Sequence, residues 1–451
     1  MTKVLLIQPN YDLEKLKNDP SMSIALVELA TFVNEHDNQA EIFDRNIYYN
    51  DIEIINKLKE FKPDIVGMTC YTSPMIKDVL HLSKIIKENT DSLLIVGGIH
   101  ATLEPKSLLD IPEIDYVVRG EGEETLLDIC NLIKENKREK ISELMNINYN
   151  SQRPLIDLKT LPIPDYGLLE IEKYNLVSFF TSRGCMGRCK FCYNRGRKLR
   201  FYDTDKMIKL MTSVIEKYNI KEFTIADDNF ATRGERTRKI CEALSKYNVI
   251  FHCCLRADQA CDEVMKNLKK AGCWCILFGF ESGSQRVLDF INKDMTLEQN
   301  IEAINQCKKY DIYYSPSFMV GLPTETEEEM DKTIKFIKKH KPHNVNIGYY
   351  KLFPHTELYD MLISEGKVIP PTKLIDWMSF GDTFSPEPNF SDIPTEKMIS
   401  AVNSFSHRSI RLYASKFLKL IITGHGEYAW FKLKAIFGFH GKKINKFFLQ
   451  K

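Results

Sequence analysis

A chain of 451 residues is about three times the usual single-domain length, which excludes one hydrophobic core and predicts two or three units. Its 62 basic side chains stand against 61 acidic ones, which excludes a global electrostatic pull toward nucleic acid, and 43% hydrophobic with 27% charged residues is ordinary for a soluble globular protein. No stretch approaches the ~20 apolar residues of a bilayer span, and the VLLI run before Gln8 and Pro9 is too short for a signal-peptide core, so a cytoplasmic location is expected.

In that compartment the twelve cysteines read mostly as free buried thiols, and a tight cluster of them as a metal site rather than a disulfide. From residue 1 to about 140, KVLLIQ, AEIFD, DIVGMTC, LLIVGG and YVVRG read as strands. SIALVELATFVNEH, DVLHLSKIIKEN and ETLLDICNLIKEN carry apolar residues at helical spacing. This alternation predicts an α/β unit, a doubly wound parallel sheet that binds ligands where loops leave the carboxyl ends of its strands. The loops there are TCYTSP (69–74), Gly97-Gly98-Ile99-His100 and Gly120-Glu121-Gly122-Glu123. Paired glycines let backbone approach a large flat ligand closely, although they also serve simply to turn a chain. After the second strand the sequence reads Asp44-Arg45-Asn46-Ile47-Tyr48-Tyr49, without a histidine.

Between about 141 and 175 both periods lapse, and Pro162 and Pro164 favour extended backbone, as in a linker. From Val177 the alternation resumes, with VSFFTSRG, EFTIADD, VIFHCCLR, WCILFGFES, YYSPSFMVGLP and NVNIGYYKLF as six strands and helical periodicity between them. Two of those helices open with capping-box spacing, Thr296 with Gln299 and Thr326 with Glu329. Six units are too few to close the usual eight-stranded barrel, so a partial barrel is expected, with active residues at its strand ends.

Directly after the first of these strands comes SRGCMGRCKFCYNRG (182–196), which holds Cys185, Cys189 and Cys192. A 4Fe-4S cluster needs one ligand on each iron, and three thiolates on one loop leave one iron open. A structural zinc ion would ask for a fourth ligand, and His252, Cys253 and Cys254 lie far along the chain on a predicted strand. A chance cluster of core thiols is at odds with the Gly, Arg, Lys and Asn around them. Beyond about 375 the pattern is irregular and then helical. Over residues 416–451 eight lysines face a single acid, Glu427, among many aromatics. Such a tail can lie on an anionic membrane; packing of the aromatics on the barrel under solvated lysines is the preferred reading.

The cysteine spacing, with Phe191 before the last cysteine and a six-unit α/β series around it, resembles the motif of the radical S-adenosylmethionine (SAM) superfamily. SIALVELATFV, DIVGMTCYTSPM, LLIVGGIHATLEP and DYVVRGEGEETLLDI resemble successive blocks of the cobalamin-binding domain that precedes many of those enzymes. The resemblance implies a doubly wound cobalamin-binding domain (1–140), a linker (141–175), a partial (β/α)6 radical SAM barrel (176–375) and a helical carboxyl-terminal region (376–451). It implies a 4Fe-4S cluster on Cys185, Cys189 and Cys192 whose open iron chelates SAM. It further implies that Glu281 of GFESG bonds the ribose hydroxyls, with Phe191, Asp227 of ADDNF and Arg256 as further SAM contacts. MVGLPTET (319–326) falls where relatives carry a cofactor- or substrate-facing loop, FPHTELYD (353–360) resembles the turn that closes these barrels, and Tyr349, Tyr350 and His355 are candidates for the substrate cavity. Thr69, Thr72, Ser73, Gly97, Gly98, Glu121 and Gly122 would lie near the corrin ring. The missing histidine fits the subgroup that holds cobalt without one; a domain that has lost its corrinoid is the alternative.

The reaction implied is C-methylation of an unactivated carbon. One SAM methylates cob(I)alamin and a second yields the 5'-deoxyadenosyl radical, because no side chain deprotonates an sp3 C-H at neutral pH. Ring closure, ring contraction or oxidation, as in the anaerobic oxidative cyclase of chlorophyll synthesis, is one alternative. A non-catalytic corrinoid or iron-sulfur sensor is another, and it would have no need of Glu281 or GLPTE. The partners expected are a small-molecule or lipid-like substrate and an external electron donor such as flavodoxin or ferredoxin, with no nucleic acid and at most weak membrane-surface contact through the tail.

Overall fold

The computed structural model describes residues 1–11, 22–150, 153–194, 198–232 and 234–406; the basic aromatic tail lies outside the described residues. The first apolar run becomes β1 (Lys3–Gln8), joined by β2 (Gln39–Asp44), β3 (Ile65–Thr69), β4 (Leu93–Gly97) and β5 (Tyr116–Val117) in a parallel sheet of order β2-β1-β3-β4-β5. Helices on both faces leave these strands no wet side, and Val4, Leu5, Ile7, Ile65 and Val66 are fully buried. The strand order reverses between β1 and β3, the place where such sheets open a crevice outside their carboxyl ends.

Several helices were not apparent from periodicity, the longest of them in the first part of the chain. Asp51–Phe61 starts at a capping box of Asn50 with Glu53, and Ile141–Asn150 opens the stretch read as a linker, with Ile141 and Met145 buried against the first sheet's cluster. The YVVRG strand is shorter than expected: it stops at Val117 on the sheet edge, and the Val118 amide still bonds the Val96 carbonyl at 2.9 Å.

The second sheet contains β6 (Val177–Phe179), β9 (Glu222–Ile225), β10 (Ile250–Leu255), β11 (Cys273–Glu281), β12 (Tyr313–Val320) and β13 (Asn346–Tyr349), in the order β13-β12-β11-β10-β9-β6. Between β6 and β9 a small antiparallel hairpin, β7 (Ser182–Arg183) and β8 (Arg200–Phe201), stands apart from this sheet. Every neighbouring pair in the large sheet is parallel, which makes it an open partial barrel. Both predicted capping boxes form: Thr296 with Gln299 and Thr326 with Glu329 exchange side-chain and backbone bonds at the heads of Leu297–Lys309 and Glu327–His340. Phe223, Phe251, Phe278 and Phe280 are buried under the helices, whereas Ser178, Thr224 and His252, aligned by register, are half-exposed. The inner row is therefore polar, unlike the branched apolar layers that fill a closed barrel.

The carboxyl-terminal region returns to the first sheet through the 3-10 run Leu374–Gly381 and then forms the helix Thr395–Ser406. Trp377 is fully buried, with its ring centroid 5.9 Å from that of His100. One apolar cluster spans both units and includes Val66, Met68 and Ile76 of the first with Leu288, Leu322 and Leu358 of the second. At Gly381 the contact is closest, since a Cβ there would lie 1.6 Å from the Thr72 carbonyl oxygen. Gly381→Ala must push backbone from backbone, and a loss of about 3 kcal/mol is expected; an unchanged thermal midpoint would show that this seam is not tight.

Candidate active site

The cysteine loop is the tip of the β7–β8 hairpin. Cys189 is buried while Cys185 and Cys192 are half-exposed. The Gly187 amide donates to Cys185 Sγ and the Asn194 amide to Cys192 Sγ, each at 3.3 Å. Residue 187 has no side chain, and a Cβ there would lie 3.4 Å from Cys185 Sγ, 3.6 Å from Arg256 Nη1 and 3.7 Å from Cys189 Sγ, so glycine leaves room beside both thiols and the guanidinium. Burial pushes the Cys189 thiol up and Cys192 to about 11, a penalty that metal ligation removes by ionising sulfur outright. Among the described residues no three or more His, Cys, Asp or Glu side chains group as a single-ion site requires. A four-iron cluster makes a different demand, one thiolate per iron, and the donor chemistry and open cradle of this loop fit it.

The segment 291–294 fastens this loop to the ends of β10 and β11. Lys190 N donates to Ile291 O at 2.9 Å, and Asn292 Nδ2 to Arg188 O at 3.1 Å. Arg256 lies beside the cysteines; it donates to the carbonyls of Lys293 (3.4 Å) and Asp294 (3.2 Å) and pairs with Asp258 at 3.1 Å. Glu281 ends β11 at a bulge against β12, with φ +63°, a backbone region costly for a residue with a Cβ. Its carboxylate folds back so far that a Cβ at position 279 would be 2.3 Å from Oε1, which explains the glycine there.

Lys293, which the sequence reading missed, donates to Glu281 Oε1 at 2.7 Å from a buried position. Burial alone would lower its pKa, but the Glu281 charge and Cys189 outweigh it and the net shift is upward. Among the described residues Glu281 Oε2 has no protein partner, which suits an acceptor for ribose hydroxyls. No motif marks Lys293; the left-handed residues on either side of it, Asn292 and Asp294, turn it inward.

Asp227 requires a correction. It is fully buried, and both of its oxygens are engaged: Oδ1 accepts from the amides of Thr181 (2.6 Å) and Ser182 (3.1 Å), Oδ2 from the Thr181 hydroxyl (2.5 Å), and Arg236 lies 3.6 Å away. It anchors the chain that enters the hairpin instead of facing a ligand. Its neighbour Asp228 accepts from Asn194, two residues beyond Cys192, at 3.0 Å. Phe191 packs on the apolar cluster shared by both units.

At the carboxyl ends of the first sheet the loops after β3 and β4 touch. Gly98 has φ +96°, and a Cβ there would meet Thr69 Oγ1 at 2.6 Å and Cys70 O at 2.9 Å. Beside it Gly97 is half-exposed, with no atom nearer than 3.9 Å to where its Cβ would be. Thr72 and Ser73 are buried: Thr72 Oγ1 bonds His100 Nδ1 at 2.8 Å, and Ser73 Oγ accepts from the Met75 amide at 3.3 Å. The other His100 nitrogen bonds Ser107 Oγ at 3.0 Å, and burial holds the imidazole pKa down to about 4, so it is neutral. Gly122 packs near Leu29 at the head of the helix Glu123–Lys134.

The Glu121 carboxylate is held by Arg183, Arg200 and the Ile156 amide. After β2, Asp44 accepts from Asn46 and, at 2.8 Å, from the Tyr174 hydroxyl, while buried Arg45 pairs with Asp78 at 3.0 Å. That loop is closed by its own ion pairs and presents no imidazole. The open glycine edge beyond β4 and β5, on the carboxyl side of the sheet, fits a corrin.

A switch-point sheet with glycine edges, joined to an open barrel that begins with a thiol triad, defines a protein that pairs a corrinoid-binding domain with a radical SAM domain. The family model described as B12 binding domain matches residues 20–129, and that of the Radical SAM superfamily matches residues 179–337. The chain belongs to the family of cobalamin-binding radical SAM enzymes, whose cofactors are SAM, a 4Fe-4S cluster and cobalamin. It is 30% identical over 450 residues to an uncharacterized methyltransferase of Pyrococcus horikoshii, covering 94% of this chain and 95% of that one. To the anaerobic magnesium-protoporphyrin IX monomethyl ester cyclase of Rubrivivax gelatinosus it is 30% identical over 392 residues, 80% of this chain and 70% of that one. The radical SAM methyltransferase TsrM of Kitasatospora setae shares the fold at a TM-score of 0.70 and 18% identity, covering 81% of this chain and 76% of that one. No helix among the described residues is long and apolar enough to cross a membrane.

Proposed function

We propose that this chain is a cytoplasmic C-methyltransferase that adds a methyl group to an unactivated carbon of a small-molecule or lipid-like substrate, with electrons from a flavodoxin- or ferredoxin-type donor. The observation that carries the reading is the end-to-end match to a methyltransferase, 94% of this chain against 95% of the relative. When bound, the cofactors supply a hydrogen-abstracting adenosyl radical and a transferable methyl group. Cys185, Cys189 and Cys192 would hold the cluster and leave one iron vertex to SAM. Glu281 would accept from the ribose hydroxyls, and Lys293 and Arg256 set positive charge beside the thiols. In the polar inner row His252 is paired with Glu222, and Ser178 and Thr224 beside it leave hydroxyls for a substrate where a closed barrel would be filled.

Oxidative cyclisation is the second reading, favoured by the match of the cyclase over 80% of this chain. Anoxically reconstituted protein given SAM, hydroxocobalamin and a reductant separates the two. Methyl transfer is expected to yield both 5'-deoxyadenosine and S-adenosylhomocysteine. 5'-Deoxyadenosine without S-adenosylhomocysteine would transfer the assignment to the cyclase reading, and neither product would sink both.

A further inference from the structure

Both stalks of the cysteine hairpin end on one carboxylate. Arg183 on β7 and Arg200 on β8 flank the loop that carries the three thiols, and each reaches Glu121, Arg183 Nη1 at 3.2 Å and Arg200 Nη1 at 3.1 Å. The same Arg183 donates to Glu28 Oε2 and to Glu123 Oε1, each at 2.7 Å. Tyr202, next to β8, joins the group by accepting from Arg183 Nε at 2.7 Å and donating to Glu28 Oε1 at 2.6 Å. The Ile156 amide adds a bond to Glu121 Oε2 at 3.0 Å. Side-chain exposure is 20% or less at Arg183, Arg200 and Glu121 and 7% or less at Glu28 and Glu123, so water screens these charges poorly.

The partition of charge is one-sided. All three acids belong to the first domain, Glu28 on the helix Ile24–Asn34 and Glu121 and Glu123 at the head of Glu123–Lys134, and both guanidiniums belong to the hairpin. Forked guanidinium donors fix geometry as well as distance, so a shift of the 120–122 loop moves both stalks together. That loop is one of the glycine edges at the carboxyl ends of the first sheet. Among the described residues of that loop Glu121 alone bonds both stalks, whereas the adjoining Glu123 bonds Arg183 only.

We propose that Glu121 is a positioning residue that couples the two cofactor loops, so that ordering of the 120–122 loop by a corrinoid tightens the cysteine loop for its cluster, and the reverse. The inference rests on the family's cofactors and adds to them a linkage between their sites. Such linkage is reciprocal, each ligand raising affinity for the other by one common factor, typically about 5- to 150-fold.

The factor is measurable without turnover. Full-length protein, with and without an anoxically reconstituted cluster, is equilibrated with hydroxocobalamin in dialysis, and the ratio of the two dissociation constants is taken. The wild type is expected to bind at least about fivefold more tightly with the cluster present. Glu121→Gln is expected to bind both cofactors with the ratio reduced to one, and Arg200→Lys, which keeps charge but loses the fork, to show an intermediate ratio; the latter also serves as the test if Glu121→Gln fails to fold. A ratio of one in the wild type, or the wild-type ratio in both variants, overturns the coupling. Absence of hydroxocobalamin binding by the wild type in either form overturns the coupling together with the cofactor assignment beneath it.

Discussion

Alanine at Cys185, Cys189 and Cys192 together is expected to leave anoxically reconstituted protein colourless and to lower its iron from about four atoms per chain to below one. These three thiols are the only ones on the hairpin, and the remaining nine cysteines lie elsewhere in the chain, most of them buried. With the cluster gone, 5'-deoxyadenosine formation from SAM is expected to vanish. Retained iron in the triple variant, measured by colorimetric iron assay on desalted protein, would place the cluster somewhere else and remove the basis of the active site.

The pair Lys293–Glu281 carries the second large effect. Lys293→Met leaves a buried carboxylate without its counter-charge, a change that costs about 3–5 kcal/mol when one partner of a buried pair is lost. Glu281→Gln in the same background removes that orphaned charge and is expected to recover a substantial part of the loss, so a double-mutant cycle on denaturant unfolding should show clear coupling. For SAM the order differs. Glu281→Gln alone is expected to weaken binding about tenfold or more, because a charged acceptor contributes about 1.5–3 kcal/mol to its hydrogen bonds. Additive stability losses, or unchanged SAM affinity in Glu281→Gln, would contradict the geometry.

Much of the fold could be read from the chain because strand runs and capping residues act locally. Thr296 with Gln299 and Thr326 with Glu329 need only one helical turn to find each other, and both formed. The thiol triad was equally local, eight positions from end to end. What escaped was long-range and polar. Arg183 and Glu28 are 155 positions apart, and nothing in the period of either helix or strand records that they meet. Asp227 was given the wrong partner, and the guanidiniums that hold Glu121 went unseen, because a motif fixes where a side chain starts and not which cation lies across the domain boundary. The helix Asp51–Phe61 buries only Ile54, Leu58 and Phe61, too sparse a stripe to stand out, although its Asn50–Glu53 cap was present in the sequence.

Trp377 gives the molecule a built-in optical gauge. Its indole is fully buried, 5.9 Å between ring centroids from His100, in the short helix Ile99–Leu103 that follows β4. Emission from so dry a site should be blue-shifted, and a corrin at the neighbouring strand ends absorbs in the range where it would emit. Loading of the first domain is therefore readable as quenching of native fluorescence, with Trp377→Phe as the silent control against Trp274 and Trp430.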